Sequence, residues 1–218
     1  MIKGIVSRSV RKFIFEFFSL FEENARGAHG TDVLLNVLWE KYIRQMQIAE
    51  NIFAFLPYEE GKVRSAILQI KTTGNPLIIE NIVKEIWSAF LPEVSRLTEL
   101  YGFSPSIVPI PLYIGKQKEK GFNHAEKIAE AFSNVSHYPL LTHVVTKNRD
   151  TKRQHDLSKK EREWNLKDAF SVTENANIEG KDFLLIDDVT TTGETMLEVL
   201  YTLRRAGARL VVGVALAH

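Results

Sequence analysis

The chain of 218 residues contains no cysteine. Disulfides, thiolate zinc sites, iron–sulfur clusters and cysteine nucleophiles are therefore excluded. An excess of charge of one sign is also missing, since 28 Lys and Arg face 27 Asp and Glu. The field of the whole molecule therefore does not favour nucleic acid or acidic lipid as a partner. The hydrophobic share of 44% is enough for one sizeable buried core.

Long apolar runs are missing as well. The nearest candidate is Phe13–Phe21, which follows basic residues but is interrupted by Glu16. No small-residue cleavage site comes after it, and the run is too short to span a bilayer. We therefore expect an amphipathic helix here, no membrane span, and a cytoplasmic protein.

The first hundred residues show helical periodicity. Apolar residues recur at three- and four-residue steps over residues 34–55, then over 63–70 and 77–90. The first of these patterns includes Ile48, Ile52 and Phe55, and Pro57 ends it.

A different pattern begins after Gly102, where short apolar segments alternate with helices of about ten residues. This alternation predicts an α/β fold with a parallel, doubly wound sheet. We therefore predict a helical N-terminal region or hood over 1–100 and a core over 101–218. The expected strands are 107–112, 140–145, 169–172, 183–186 and 210–216, and the expected helices are 123–132 and 195–205.

Ligands of such sheets bind outside the carboxyl ends of the strands. Directly after the apolar segment Phe183–Ile186 come two acids, Asp187 and Asp188. A loop then leads into a helix. The loop consists of Thr190, Thr191, Thr192, Gly193, Glu194 and Thr195.

This segment predicts a site for a phosphoribosyl ligand. Backbone amides at the start of the helix and the threonine hydroxyls suit a phosphate group. The two carboxylates suit ribose hydroxyls or a hydrated Mg²⁺. The alternative is a plain strand–turn–helix with Thr191 or Thr192 as N-cap and two solvated aspartates.

The whole run resembles the 5-phosphoribosyl 1-pyrophosphate (PRPP) signature of type I phosphoribosyltransferases. Val108–Leu112, Lys120–Glu126 and Arg149–Thr151 extend the resemblance to ComF/GntX-type competence-associated phosphoribosyltransferase-like proteins. The resemblance covers residues 105–218. A weaker match, to a helix that ends in a basic, glycine-containing turn, runs through Tyr58, Val63, Arg64, Ile67, Lys71 and Gly74. ComF-type proteins usually carry a cysteine-rich zinc segment, and this sequence has no cysteine to form one.

The resemblance implies a role for each motif. Thr190, Thr191, Thr192, Gly193 and Thr195 would bind the 5-phosphate of PRPP. Lys116, Lys120 and Gly121 would bind its pyrophosphate. Asp187 and Asp188 would be catalytic, holding ribose hydroxyls and a Mg²⁺ cofactor, directly or through water. Arg149 would be a further catalytic residue, on a loop that closes over PRPP.

A basic stretch over 147–167 contains eight Lys and Arg and four Asp and Glu. By resemblance it is the closing loop just described. The alternative interpretation makes it a contact for single-stranded DNA, with Trp164 stacking on a base.

Two functions follow from the resemblance. The first is transfer of the phosphoribosyl group of PRPP to an unidentified base or amine, with release of pyrophosphate. The second is non-catalytic sensing of PRPP or a nucleotide, in support of DNA uptake or recombination. The expected partners are PRPP, the unknown nucleophile, and single-stranded DNA or a protein of the competence machinery; a homodimer is a further alternative.

Overall fold

The computed structural model describes residues 42–115, 122–150 and 168–218. They form strands and helices in the following order: β1 (Met46–Ala49), β2 (Ile52–Leu56), α1 (Gly61–Thr73), α2 (Pro76–Tyr101), β3 (Pro105–Pro109), α3 (His124–Ser136), β4 (Val145–Lys147), β5 (Phe170–Val172), β6 (Asp182–Val189), α4 (Glu194–Arg205) and β7 (Leu210–Ala217).

The main sheet has the strand order β1-β2-β7-β6-β3. Strands β2, β7, β6 and β3 are parallel, and β1 is antiparallel to β2 at one edge. Strands β4 and β5 form a separate antiparallel pair. The α/β fold is thus confirmed, although β1 makes the sheet mixed rather than wholly parallel.

Residues 46–56 are two strands, so the helix predicted through Ile48, Ile52 and Phe55 is wrong. All five residues of β2 are buried. Its side chains alternate between the two faces of the sheet. Ile52 and Ala54 join a cluster that includes Val199 of α4. The rings of Phe53 and Phe55 lie 5.6 and 5.8 Å from that of Phe90 in α2. A strand covered on both faces is apolar throughout, so it also satisfies helical spacing.

Two other predicted elements differ from the structure. Leu140 forms an isolated bridge to Ile107, and the strand itself is β4, which begins at Val145. Helix α2 continues to Tyr101 with Pro92 inside it. Residues 42–218 form one compact unit. The division at residue 100 into hood and core therefore stays a prediction about function rather than about folding.

An ion pair fastens the end of the sheet where β6 and β7 begin. The Asp182 side chain is only 1% exposed and accepts hydrogen bonds from Arg209 Nε at 2.8 Å and from the Ser104 amide at 2.9 Å. The Arg209 guanidinium also donates to the carbonyl oxygens of Tyr101 and Gly102, at 3.1 and 3.0 Å. This pair joins the end of α2 and the segment before β3 to strands β6 and β7.

We expect Asp182→Ala to lower the free energy of unfolding by about 2 kcal/mol, since it removes the buried carboxylate that is the shared acceptor of Arg209 and the Ser104 amide. Urea unfolding followed by circular dichroism measures the change. Glu93→Ala is the matched control, because Glu93 pairs with Arg96 one turn away on the same helix at 2.6 Å. A loss for Asp182→Ala no larger than that of the control would contradict the role given to the pair.

Candidate functional site

The acid pair lies at the carboxyl end of β6. Pairing with β7 places Asp187 opposite Ala215 and Val189 opposite Ala217. Strand β6 therefore continues three residues beyond the Ile186 predicted as its end. Because β3, β6 and β7 are parallel, their carboxyl ends share the edge at which α/β proteins bind ligands.

Each acid of the pair is held by a neighbouring group. Asp187 Oδ1 accepts a hydrogen bond from the Asp188 amide at 2.8 Å, and Asp188 Oδ1 accepts one from the Val189 amide at 2.6 Å. The other oxygen of Asp188, Oδ2, lies 3.3 Å from Lys71 Nζ of α1.

The two carboxyl groups differ in charge. Burial, and next the negative charge of Asp188, raise the pKa of Asp187 to about 8, against the opposing effects of the Asp188 amide, Lys71 and Lys147. At neutral pH Asp187 is therefore mostly protonated and can donate a hydrogen bond. Asp188, with Lys71 beside it, supplies the acceptor. Neighbouring residues at the end of β6 therefore offer one donor and one acceptor.

The loop after β6 leads into the start of α4. Thr190 is buried, and its amide donates to the Ala217 carbonyl oxygen at 2.9 Å. Thr191 and Thr192 are exposed, and Thr195 is half-buried in the first turn of α4. The N-cap is Gly193, with φ +77°, and not Thr191 or Thr192 as the strand–turn–helix alternative supposed.

This N-cap places no side-chain oxygen at the start of α4. Gly193 has no side chain to cap the first turn of α4, whose first amides have no acceptor within the helix. A side chain at this position would be strained by the positive φ, and its Cβ would lie 3.4 Å from that of Ala49. The backbone here therefore suits a phosphate group.

The segment predicted to bind pyrophosphate is described only at its end. Lys116, Lys120 and Gly121 lie outside the described residues. Asn123 is buried, caps α3 by accepting from the Ala125 amide at 3.1 Å, and donates to the Ile110 carbonyl oxygen at 3.1 Å. These two bonds fix the start of α3 to the residue that follows β3.

The basic stretch is described from Lys147 to Asp150. Arg149 is exposed, two residues after the end of β4, and its catalytic role stays a prediction. Lys147 Nζ lies 5.4 Å from the centre of the Phe170 ring, and its charge acts on Asp187. The rest of the stretch, with Trp164, lies outside the described residues.

Two lysines near the acid pair were not predicted as site residues. Lys71 appeared only in the weaker family match, and Lys147 only as one charge of the basic stretch. The basic turn with Gly74 was the available signal for Lys71. Sequence alone did not connect this turn to Asp188, because the two segments lie in opposite halves of the chain.

The described residues bear on two further predictions. They contain no group of three or more His, Asp or Glu placed to hold a metal ion. A Mg²⁺ site at the acid pair is a prediction that rests on two carboxylates. None of the helices in residues 42–115, 122–150 and 168–218 combines the length and hydropathy that a membrane span requires.

The family match covers the part of the chain that contains the acid pair and the loop before α4. Residues 118–218 match the family model of the phosphoribosyl transferase domain. Competence protein F of Haemophilus influenzae is 37% identical over 103 residues, which is 47% of this chain and 45% of that protein. Residues 118–218 are thus similar in sequence to the phosphoribosyltransferase-like part of ComF-type proteins. DNA utilization protein YhgH of Escherichia coli K12 is 35% identical, over 48% of this chain and 45% of that protein. Competence protein ComFC of Bacillus subtilis is 37% identical, over 41% and 34%.

The matched region spans less than half the length of these curated relatives. Solved structures are less similar. Adenine phosphoribosyltransferase from Saccharomyces cerevisiae is 12% identical, over 84% of this chain and 89% of its own, with a TM-score of 0.40. Hypoxanthine phosphoribosyltransferase from Staphylococcus aureus is 19% identical, over 63% and 61%, with a TM-score of 0.36.

The raised pKa of Asp187 makes stability depend on pH. The folded state keeps the Asp187 proton up to about pH 8, whereas the unfolded chain releases it near 3.8. The contribution of this group to stability is therefore complete below about pH 4 and is lost as the pH rises to about 8. We expect the wild-type chain, without ligand or metal, to lose stability relative to Asp187→Asn over this range. Urea unfolding of both chains at several pH values measures the difference, and curves that run parallel would contradict it.

Proposed function

We propose that this chain binds PRPP and transfers its phosphoribosyl group to a nitrogen nucleophile, releasing pyrophosphate. The observation that carries the proposal is the arrangement at the end of β6. Asp187, whose pKa is raised, and Asp188, held by Lys71, lie one short loop before a helix start that no side chain caps. A diol and a phosphate in one ligand match these two features.

The reaction replaces one bond at the anomeric carbon of the ribose. The bond from this carbon to the pyrophosphate oxygen breaks, and its electron pair leaves with pyrophosphate. The nucleophile attacks the opposite face, forms a C–N bond, and then loses a proton to solvent. The positively charged, oxocarbenium-like transition state is stabilised by fixed charges and dipoles and by placement of the reactants.

Residues of this chain supply the placement. The loop from Thr190 to Thr195 would hold the 5-phosphate through its amides and hydroxyls. Asp187 would donate to one ribose hydroxyl, and Asp188 would accept from the other. The negative charge of Asp188 would also favour the developing positive charge on the ribose.

The acid pair also fits a Mg²⁺ that is shared with the ligand. Magnesium in phosphate-binding sites takes one or two carboxylates together with phosphate oxygens and water. Asp188 would hold the ion, through water, once PRPP supplies its phosphate oxygens, and Asp187 would do so in its deprotonated form. When bound, it would neutralise charge on the departing pyrophosphate.

A second candidate function is sensing of PRPP or a nucleotide without turnover. It is favoured by the relatives named competence proteins and DNA utilization protein. In this proposal the same site binds the ligand, and the chain then acts through single-stranded DNA or a protein of the DNA-uptake machinery. Both functions need the acid pair, and they differ in whether pyrophosphate is released.

Ligand binding tests the site that the two functions share. We expect PRPP with Mg²⁺ to bind the wild-type chain and the double variant Asp187→Asn/Asp188→Asn to bind at least roughly thirtyfold more weakly, about 2 kcal/mol. Isothermal titration calorimetry measures both. Glu179→Gln is the control, because this exposed acid precedes the opposite end of the same strand. Equal affinity in the double variant would refute the site.

Turnover separates the two functions. We expect pyrophosphate release when the protein, Mg²⁺ and PRPP are mixed with a panel of bases and amines, and no release when chelator removes the metal. Clear PRPP binding without release for any acceptor would contradict the transferase and favour the sensor.

Salt-dependent binding of single-stranded DNA that survives neutralisation of Lys and Arg in 147–167 would contradict a DNA contact by this stretch.

A further inference from the structure

The last turn of α1 reaches the acid pair from a part of the chain that precedes the matched domain. Lys71 Nζ lies 3.3 Å from Asp188 Oδ2. The Lys71 side chain is 32% exposed and that of Asp188 14% exposed. Because Lys71 is partly exposed, solvent screens the pair, and its contribution to folding stability is modest. The same contact also acts on the orientation of the Asp188 carboxylate.

Lys71 completes the set of groups that orient Asp188. Oδ1 is already fixed by the Val189 amide at 2.6 Å. That bond alone leaves the plane of the carboxylate free to turn about it. The ammonium group of Lys71 at Oδ2 provides a second point of attachment, and two points define the plane.

The position of Lys71 is itself fixed by its own turn. Ile67 and Ile70, which precede it in α1, are fully buried. The helix ends at Gly74, with φ +59°, whose amide donates to the Ile70 carbonyl oxygen at 2.9 Å. A Cβ on Gly74 would lie 3.1 Å from the ring of Phe122. Phe122 thus lies against the turn that ends α1.

We infer that Lys71 is a positioning residue of the ligand site, which holds the Asp188 carboxylate in the orientation that receives the ribose hydroxyl of PRPP. This inference rests on the proposed function. It adds a residue from the N-terminal half of the chain to a site otherwise built from residues of the C-terminal half.

Substitution of Lys71 tests the inference with PRPP and Mg²⁺ as the probe. We expect Lys71→Met to weaken PRPP binding by about tenfold, because a misplaced carboxylate loses its hydrogen bond. Lys71→Arg keeps the charge and should bind within about threefold of wild type. Lys127→Met is the matched control, since Lys127 pairs with Glu130 at 3.1 Å on the exposed surface of α3. Thermal unfolding should be nearly the same in all four chains.

A double-mutant cycle distinguishes positioning from direct contact with the ligand. If Lys71 acts through Asp188, then Lys71→Met should cost less than about twofold once Asp188→Asn is present. A full tenfold loss in that background would show that Lys71 contacts PRPP itself, and would overturn the positioning role.

Failure of the inference differs from failure of the proposed function. A wild-type chain that binds no PRPP contradicts the proposed function, and this inference with it. Wild-type affinity in Lys71→Met contradicts this inference alone. Loss of affinity in Lys71→Arg equal to that in Lys71→Met would also overturn it, because the charge would then not be what matters.

Discussion

The register of β6 between β3 and β7 is the constraint on which the site depends. Ile186 pairs with Pro109 on one side and with Val214 on the other. Side chains of a strand alternate between faces, so a shift of one residue would turn Asp187 and Asp188 to the wrong sides. The Asp182–Arg209 pair fastens the start of β6, and the bond from the Thr190 amide to Ala217 fastens the segment after its end. The acid pair thus lies on a strand held at both ends.

Two adjacent acids at the end of a buried strand repel each other, and the fold reduces this cost in two ways. Asp187 keeps its proton at neutral pH, as its raised pKa shows. Asp188 has an ammonium group beside it. Each measure also prepares the pair for a ligand, because one acid becomes a donor and the other a fixed acceptor. The electrostatics that stabilise the end of β6 are therefore the same as those that would recognise a diol.

The sequence predicted the parts of the site that are contiguous in the chain. The apolar segment, the acid pair, the loop and the helix after Gly193 follow one another, and each has a local signal. The helical pattern predicted over 34–55 failed from Met46 onward for a physical reason. The five apolar residues of β2 satisfy helical spacing because a strand covered on both faces has no polar side. Asn51 before them and Pro57 after them bound a segment of only five residues. That length fits a buried strand and is short for a helix, so segment length was a better criterion than periodicity.

Contacts between segments that are distant in the chain have no local signal in the sequence, so they could not be predicted. They matter most near residue 118, where the family match begins, after β3 has ended. A fragment of residues 118–218 would leave one edge of β6 without β3 and one edge of β7 without β2, and unpaired central strands are prone to aggregate. It would also lack Lys71, so Asp188 would keep only the Val189 amide as a fixed partner. The recognisable motif therefore lies in the C-terminal half, whereas the geometry that makes it a binding site depends on the compact unit from residue 42 onward.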